Sequence, residues 1–201
     1  MSRVLLVNPW ITDFAAFDLW AKPYGLLTLA ALLRAGGSEV DLVDCLDRRE
    51  VEASPAHSMA AARDRAFGTG KYGRVRIAAP AAYADLPRRY YRYGIAPDRL
   101  QAKLASLPQP DLVWVTSIMT YWYPGVADTI TVLRQAFPEV PVWLGGIYAR
   151  LCPEHARRST GATEIVTLAL PELFHKVGAA LGHEPTNRAQ WQSLAGAPAP
   201  A

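Results

Sequence analysis

Cysteine is nearly missing from this 201-residue chain: only Cys45 and Cys152 occur. Two are too few for a disulfide framework, or for a multi-cysteine zinc or iron–sulfur site built from this chain alone. No apolar run is long enough to span a bilayer. No run of consecutive lysine or arginine exceeds two residues and the formal charge is +3, so a nucleic-acid partner is not expected. Neither a G-x-G-x-x-G nor a P-loop pattern occurs, which disfavours the ordinary dinucleotide and triphosphate cradles. Ser117 lacks a nucleophile-elbow signature, and no Ser–His–Asp arrangement can be recognised. There is no internal repeat. Met1-Ser-Arg leads straight into strand-like Val4-Leu-Leu-Val7 rather than into a signal peptide, so a cytoplasmic location is expected.

What is present is a globular composition, 51% hydrophobic and 19% charged, of one-domain length. The centre of the chain is Asp111-Leu-Val-Trp-Val-Thr-Ser-Ile-Met-Thr-Tyr-Trp-Tyr-Pro-Gly-Val126. Residues 112–115 have the length and β-rich character of a buried strand. Residues 116–123 are a polar and aromatic loop, and Pro124 suits the first turn of a helix. Met119, Tyr121, Trp122 and Tyr123 are costly to leave bare in water. They must cover a core, a ligand or a partner.

The rhythm around this stretch is β/α. Residues 3–7 read as a central strand, 8–14 as a loop stopped by Pro9, and 23–35 as a helix with Leu26, Leu27, Ala30 and Leu33 at helical spacing. Gly36-Gly37 end that helix. Residues 39–44 alternate as a half-exposed second strand. Further strands are expected at 142–144 and 164–168, with helices at 124–136, 153–158 and 171–181. A doubly wound, flavodoxin-like α/β domain follows, with five parallel strands in the order 2-1-3-4-5. The domain is expected to span residues 1–181, with 182–201 as a frayed tail. Its switch point brings the 8–14 and 116–123 loops together at one crevice, flanked by Gly145-Gly146.

Residues 45–110 interrupt the rhythm with six prolines and the patch Pro87-Arg-Arg-Tyr-Tyr-Arg-Tyr-Gly94. So long an insertion is expected to be partly folded or functional. Short helices are expected near 57–66 and 97–106, with a lid or flap between them. The Arg88–Tyr93 patch suits a phosphate, a nucleic acid or an acidic partner surface, against the plainer reading of a helix turn snorkelling over the sheet edge.

Each candidate site residue has a plain alternative. Thr116 and Ser117 either bind a ligand at the strand's end or satisfy the loop backbone. Gly145 and Gly146 either let a ligand approach or make a turn at positive φ. Cys152 and His155 are too few for a closed metal site. His57, His175 and His183 have no partner pattern. Asp13 and Asp18 are an acid/base pair or solvated loop carboxylates.

Val4-Leu-Leu-Val-Asn-Pro9, Pro23-Tyr-Gly-Leu-Leu27, Val115-Thr-Ser-Ile-Met-Thr-Tyr-Trp-Tyr-Pro-Gly125 and Leu144-Gly-Gly-Ile-Tyr148 together resemble the amino-terminal cobalamin-binding domain of B12-dependent radical S-adenosylmethionine (radical SAM) proteins. The resemblance covers about residues 3–172. It implies a corrin over the carboxyl edge of the sheet and a nucleotide tail descending into the crevice. By the same resemblance, Asn8, Pro9, Thr116, Ser117, Ile118, Met119, Thr120, Tyr121, Gly145, Gly146, Ile147 and Tyr148 are the cofactor-binding candidates.

Two departures qualify the match. The D-x-H-x-x-G motif that supplies a lower histidine to cobalt is replaced by Thr12-Asp-Phe-Ala-Ala-Phe17, so cobalamin without a protein histidine is implied and no metal ligand is assigned. The C-x-x-x-C-x-x-C cluster motif cannot be made from Cys45 and Cys152. The reading is therefore a cobalamin-binding module that serves a radical SAM domain elsewhere, with no complete active site of its own. The alternative is a degenerate α/β interaction subunit that binds no cobalamin and docks on a radical SAM partner.

Overall fold

A computed structural model of the protein describes residues 1–19, 22–48, 62–168 and 170–195. In chain order, β1 (Arg3–Asn8) leads through a short link to β2 (Ile11–Asp13), then to helix α1 (Tyr24–Ala35) and β3 (Glu39–Asp44). The insertion holds β4 (Arg63–Asp64), β5 (Gly70–Lys71), β6 (Arg74–Ile77), β7 (Tyr90–Tyr93) and α2 (Pro97–Ser106). There follow β8 (Leu112–Val115), α3 (Tyr123–Ala136), β9 (Val142–Leu144), α4 (Ile147–Leu151), α5 (Pro153–Ser159), β10 (Glu164–Ile165), α6 (Leu170–Leu181) and α7 (Arg188–Ala195).

The main sheet is five-stranded and parallel, in the order β3-β1-β8-β9-β10. That is the expected 2-1-3-4-5 order, and the switch point lies between β1 and β8. Successive side chains along a strand point to opposite faces, and both faces are covered. Leu5, Val7, Val113, Val115, Val142 and Leu144 pack with Val126, Ile130 and Leu133 of α3 and Leu100 and Leu104 of α2. Val4, Leu6, Leu112, Trp114 and Trp143 pack with Leu26, Leu29 and Leu33 of α1 and Phe174 and Val177 of α6. Along α1 the buried stripe is Leu26, Leu29, Leu32 and Leu33, whereas Leu27 points outward. The expected fifth strand shortens to Glu164–Ile165, although Val166 still donates its N–H to the Leu144 carbonyl. No described helix is long and apolar enough to cross a membrane.

Four expectations need correction. The 8–14 segment is not simply a loop: β2 pairs antiparallel with β7, Ile11 opposite Tyr93, and β7 pairs with β6. The Tyr90–Tyr93 stretch is thus a strand rather than a helix turn, as its aromatic content favours. Of the helix expected at 57–66, residues 57–61 lie outside the described residues, and Arg63–Asp64 form a strand paired with β5. The helix near 97–106 is present as α2.

The fourth correction concerns the tail. Beyond Gly182 the chain forms α7, and Trp191 is 0% exposed, edge-on to Phe174 at 5.8 Å between ring centres. Asn187 fixes the approach by donating to the Leu32 carbonyl at 2.9 Å and accepting from the Trp191 indole at 3.2 Å. Trp191→Ala is expected to cost about 3–5 kcal/mol, the usual toll of a buried large-to-small change. A melting curve checks it; a midpoint equal to the parent's would show that α7 carries no stability.

Candidate functional site

The carboxyl ends of β1, β8 and β9 converge, and the predicted residues lie there in two different situations. Some close the crevice instead of lining it. Asn8 is buried at the end of β1 and its amide donates to Asp44 Oδ1 at 2.8 Å. Burial raises the Asp44 carboxyl above the ordinary range, and the bonds from Leu46 N–H and Asn8 only partly offset it. Ser117 Oγ donates to the Gly145 carbonyl at 2.6 Å, tying the loop after β8 to the loop after β9. Tyr148 is buried and shares a 2.7 Å hydrogen bond with His155 Nδ1; burial pushes its phenol up to about 12.

The space between the ends of β1 and β8 is filled by the chain itself. Pro9, Ile118 and Trp122 line a residual cavity of only about 20 Å³. That holds little more than one water. Trp10, which sequence reasoning did not single out, is the main plug. It is 2% exposed, its indole donates to the Ile95 carbonyl at 2.8 Å, and the Arg92 guanidinium stacks over it at 4.9 Å. Trp122 donates to Asp13 Oδ2 at 2.8 Å. Asp13 is thereby engaged, while Asp18 is fully buried against Arg48, so the two aspartates do not form an acid/base pair.

The open space lies one layer away, on the α1 side of the sheet. Pleating puts Trp114 and Thr116 on that face and Ser117 on the other. A groove of about 290 Å³ is bounded there by Gly25 and Thr28 of α1, by Trp114, Thr116 and Gly145-Gly146, and by Arg150 of α4. Leu26, Leu29 and Leu173 form its apolar floor. Arg150 is exposed and has no acidic partner among the described residues. Of the predicted residues, Thr116, Gly145 and Gly146 line this groove. Met119 (42% exposed), Tyr121 (49%) and Ile147 (55%) form an apolar rim at the same edge of the sheet, and Thr120 sits half-buried between the first two. The other aromatic residue of the loop, Tyr123, turns inward against His155 at 4.7 Å.

The glycines separate by cause. Gly146 has φ +95°, and a Cβ there would lie 2.1 Å from the Ser117 carbonyl oxygen, so the chain's own packing demands it. At Gly145 a Cβ would meet the Trp114 indole nitrogen at 2.9 Å. Gly25 differs: it sits in the first turn of α1 with nothing within 4 Å of where its Cβ would be. Glycine is up to about 1 kcal/mol worse than alanine in a helix, and none of the described residues requires it here. Sequence reading used Gly25 only as part of Pro23-Tyr-Gly-Leu-Leu27, because nothing local shows which helix faces the groove.

The histidines are engaged elsewhere. His155 bonds Tyr148 and lies 3.4 Å from Ser159, His175 pairs with Glu184, and His183 meets Ser2 at 2.8 Å. His57 lies outside the described residues. Among the described residues no three His, Cys, Asp or Glu side chains gather as a metal-binding group. No known family model matches the sequence, and no curated protein matches it closely enough to count as a relative.

Proposed function

We propose that this protein is a cobalamin-binding module of radical SAM type. It holds the corrinoid without a histidine below cobalt and presents it to a radical SAM domain on another chain or segment. The observation that carries this is Gly25. A glycine that weakens its helix, meets no neighbour and faces a groove of about 290 Å³ suits close approach by a bound group. The apolar floor of Leu26, Leu29 and Leu173 suits the benzimidazole of the nucleotide tail. The Thr116 hydroxyl suits its ring nitrogen, and Arg150 suits its phosphodiester. The corrin would lie over the rim of Met119, Tyr121 and Ile147. Methyl-transfer or electron-transfer chemistry is what cobalamin supplies when bound; this chain orients it and shields one face.

One observation favours the alternative of an interaction subunit that binds no cobalamin. The β1–β8 crevice is plugged by Trp10, and Ser117 and Gly146 are explained by internal contacts. An absorption spectrum after incubation with hydroxocobalamin and removal of the excess separates the two. Retained corrin bands are expected. Gly25→Ala is expected to stabilise the protein slightly, by about 0.5–1 kcal/mol of helix propensity, while Gly25→Phe loses the corrin with the fold intact. Failure of the parent protein to retain corrin under both reducing and oxidising conditions would sink the cofactor reading.

A further inference from the structure

The insertion carries a second cavity that shares no residue with the α1 groove. Residues 62–93 hold eight arginines and lysines against two acids, Asp64 and Asp85, a net of +6 where the whole chain carries +3. The charge is therefore concentrated on this small module, while the rest of the chain is net acidic.

Its acids do not neutralise it. Asp64 accepts from Arg48, as does Asp18, which also faces Lys22 at 3.4 Å. Arg63, Lys71 and Arg74 have no carboxylate partner among the described residues. These three cations surround one cavity of about 290 Å³, together with Phe17, Tyr72 and Tyr93. Lys71 Nζ lies 5.7 Å over the Phe17 ring, and the Arg74 guanidinium stacks at 4.3 Å on Tyr91, contacts that hold the cations in place while no carboxylate of the described residues matches their charge.

In the wall of the cavity lies a buried, weakly bonded hydroxyl. Tyr93 is 1% exposed and its hydroxyl makes no well-formed hydrogen bond, with the Arg74 side chain and the Ala16 backbone the groups placed to bond it. A buried hydroxyl left unmatched is costly. Two guanidinium forks, an ammonium and a phenol form a donor set for a dianionic oxyanion, which accepts several hydrogen bonds at once. Phe17 and Tyr72 add flat apolar surface beside it.

We propose that this cavity binds a small phosphomonoester carrying a planar group, of the nucleoside monophosphate class. At about 290 Å³ it is at the small end of ligand sites, which suits such a molecule. The site is independent of cobalamin binding at the α1 groove.

Calorimetry on the full chain without cobalamin tests this, with adenosine monophosphate and inorganic phosphate as probes. Saturable one-to-one binding of adenosine monophosphate is expected, with inorganic phosphate weaker. Arg74→Ala is expected to weaken it about tenfold or more, the effect of one lost charge-assisted bond. Tyr93→Phe removes only the weakly bonded hydroxyl, so it should weaken binding several-fold at an unchanged melting midpoint; a weakening with the midpoint unchanged cannot be ascribed to unfolding. No binding of either probe overturns the proposal. So does binding of polyglutamate alone that falls steeply with salt and ignores Tyr93→Phe, which would mark an acidic macromolecular partner instead.

Discussion

An Arg48→Ala variant is expected to lose about 3–5 kcal/mol, because it strands a buried carboxylate. Arg48 is 13% exposed at its side chain and Asp18 0%. The guanidinium donates to Asp18 Oδ2 at 3.0 Å, to the Thr69 carbonyl at 3.1 Å, to the Gly68 carbonyl at 2.9 Å, and to Asp64. One planar group thus ties the segment after β2 to the β4–β5 hairpin, whose backbone also pairs with Asp18 through Gly70. A lysine cannot span these partners with a single ammonium, so Arg48→Lys should rescue little. Gly70→Ala should reproduce part of the loss, since a Cβ there would lie 1.8 Å from an Arg48 guanidinium nitrogen and 2.5 Å from the Arg63 carbonyl oxygen. Limited proteolysis should cut the variant within 62–93 well before the main sheet yields. Equal melting midpoints and equal cleavage rates for Arg48→Ala and the parent would refute this account of the insertion.

Gly146→Ala is expected to be similarly severe and to act at the carboxyl edge of the main sheet. The residue is at φ +95°, where a side chain is strained, and the added methyl would meet the Ser117 carbonyl oxygen at 2.1 Å and its nitrogen at 2.7 Å. Both obstacles are backbone, held by the Ile147 N–H bond to the Ser117 carbonyl at 2.8 Å, so the strain has no easy outlet. Strain plus displacement should cost about 3 kcal/mol or more, which for this length is a fall of roughly 6–12 °C in melting midpoint. Corrin retention should fall with it, because the loops after β8 and β9 move apart. The contrast with Gly25→Ala is diagnostic: one glycine serves the fold, the other the groove. A Gly146→Ala protein that melts like the parent would mean these loops already open in solution.

Much of the architecture was legible from local signals. The apolar runs at Val4–Val7, Leu112–Val115 and Val142–Leu144 announce buried strands, and Gly36-Gly37 and Pro124 mark helix ends. Strand order then follows from right-handed β/α connection, and the switch point follows from the order. Residue chemistry at the site was legible too: hydroxyls at 116 and 117, glycines at 145 and 146, aromatics at 121–123.

Where those groups point was settled by packing. Pleating sends Thr116 into the α1 groove and Ser117 onto the Gly145 carbonyl, so adjacent hydroxyls have unlike roles. Trp10 closes the crevice through Ile95, and Ile11 finds its strand partner in Tyr93; both contacts join segments over 80 residues apart. Trp191, alone in a polar stretch, shows no periodicity, yet it docks in a slot formed by Phe174 and α1. The amino-acid order by itself determined the β/α elements of the main sheet and their layers, since those depend on neighbours a few residues apart, but not the strands of the insertion or the docked α7. Which crevice is open, which glycine is free and where the unmatched cations converge was decided only by the tertiary structure, because contacts between distant segments depend on how the whole sheet and its insertion close together.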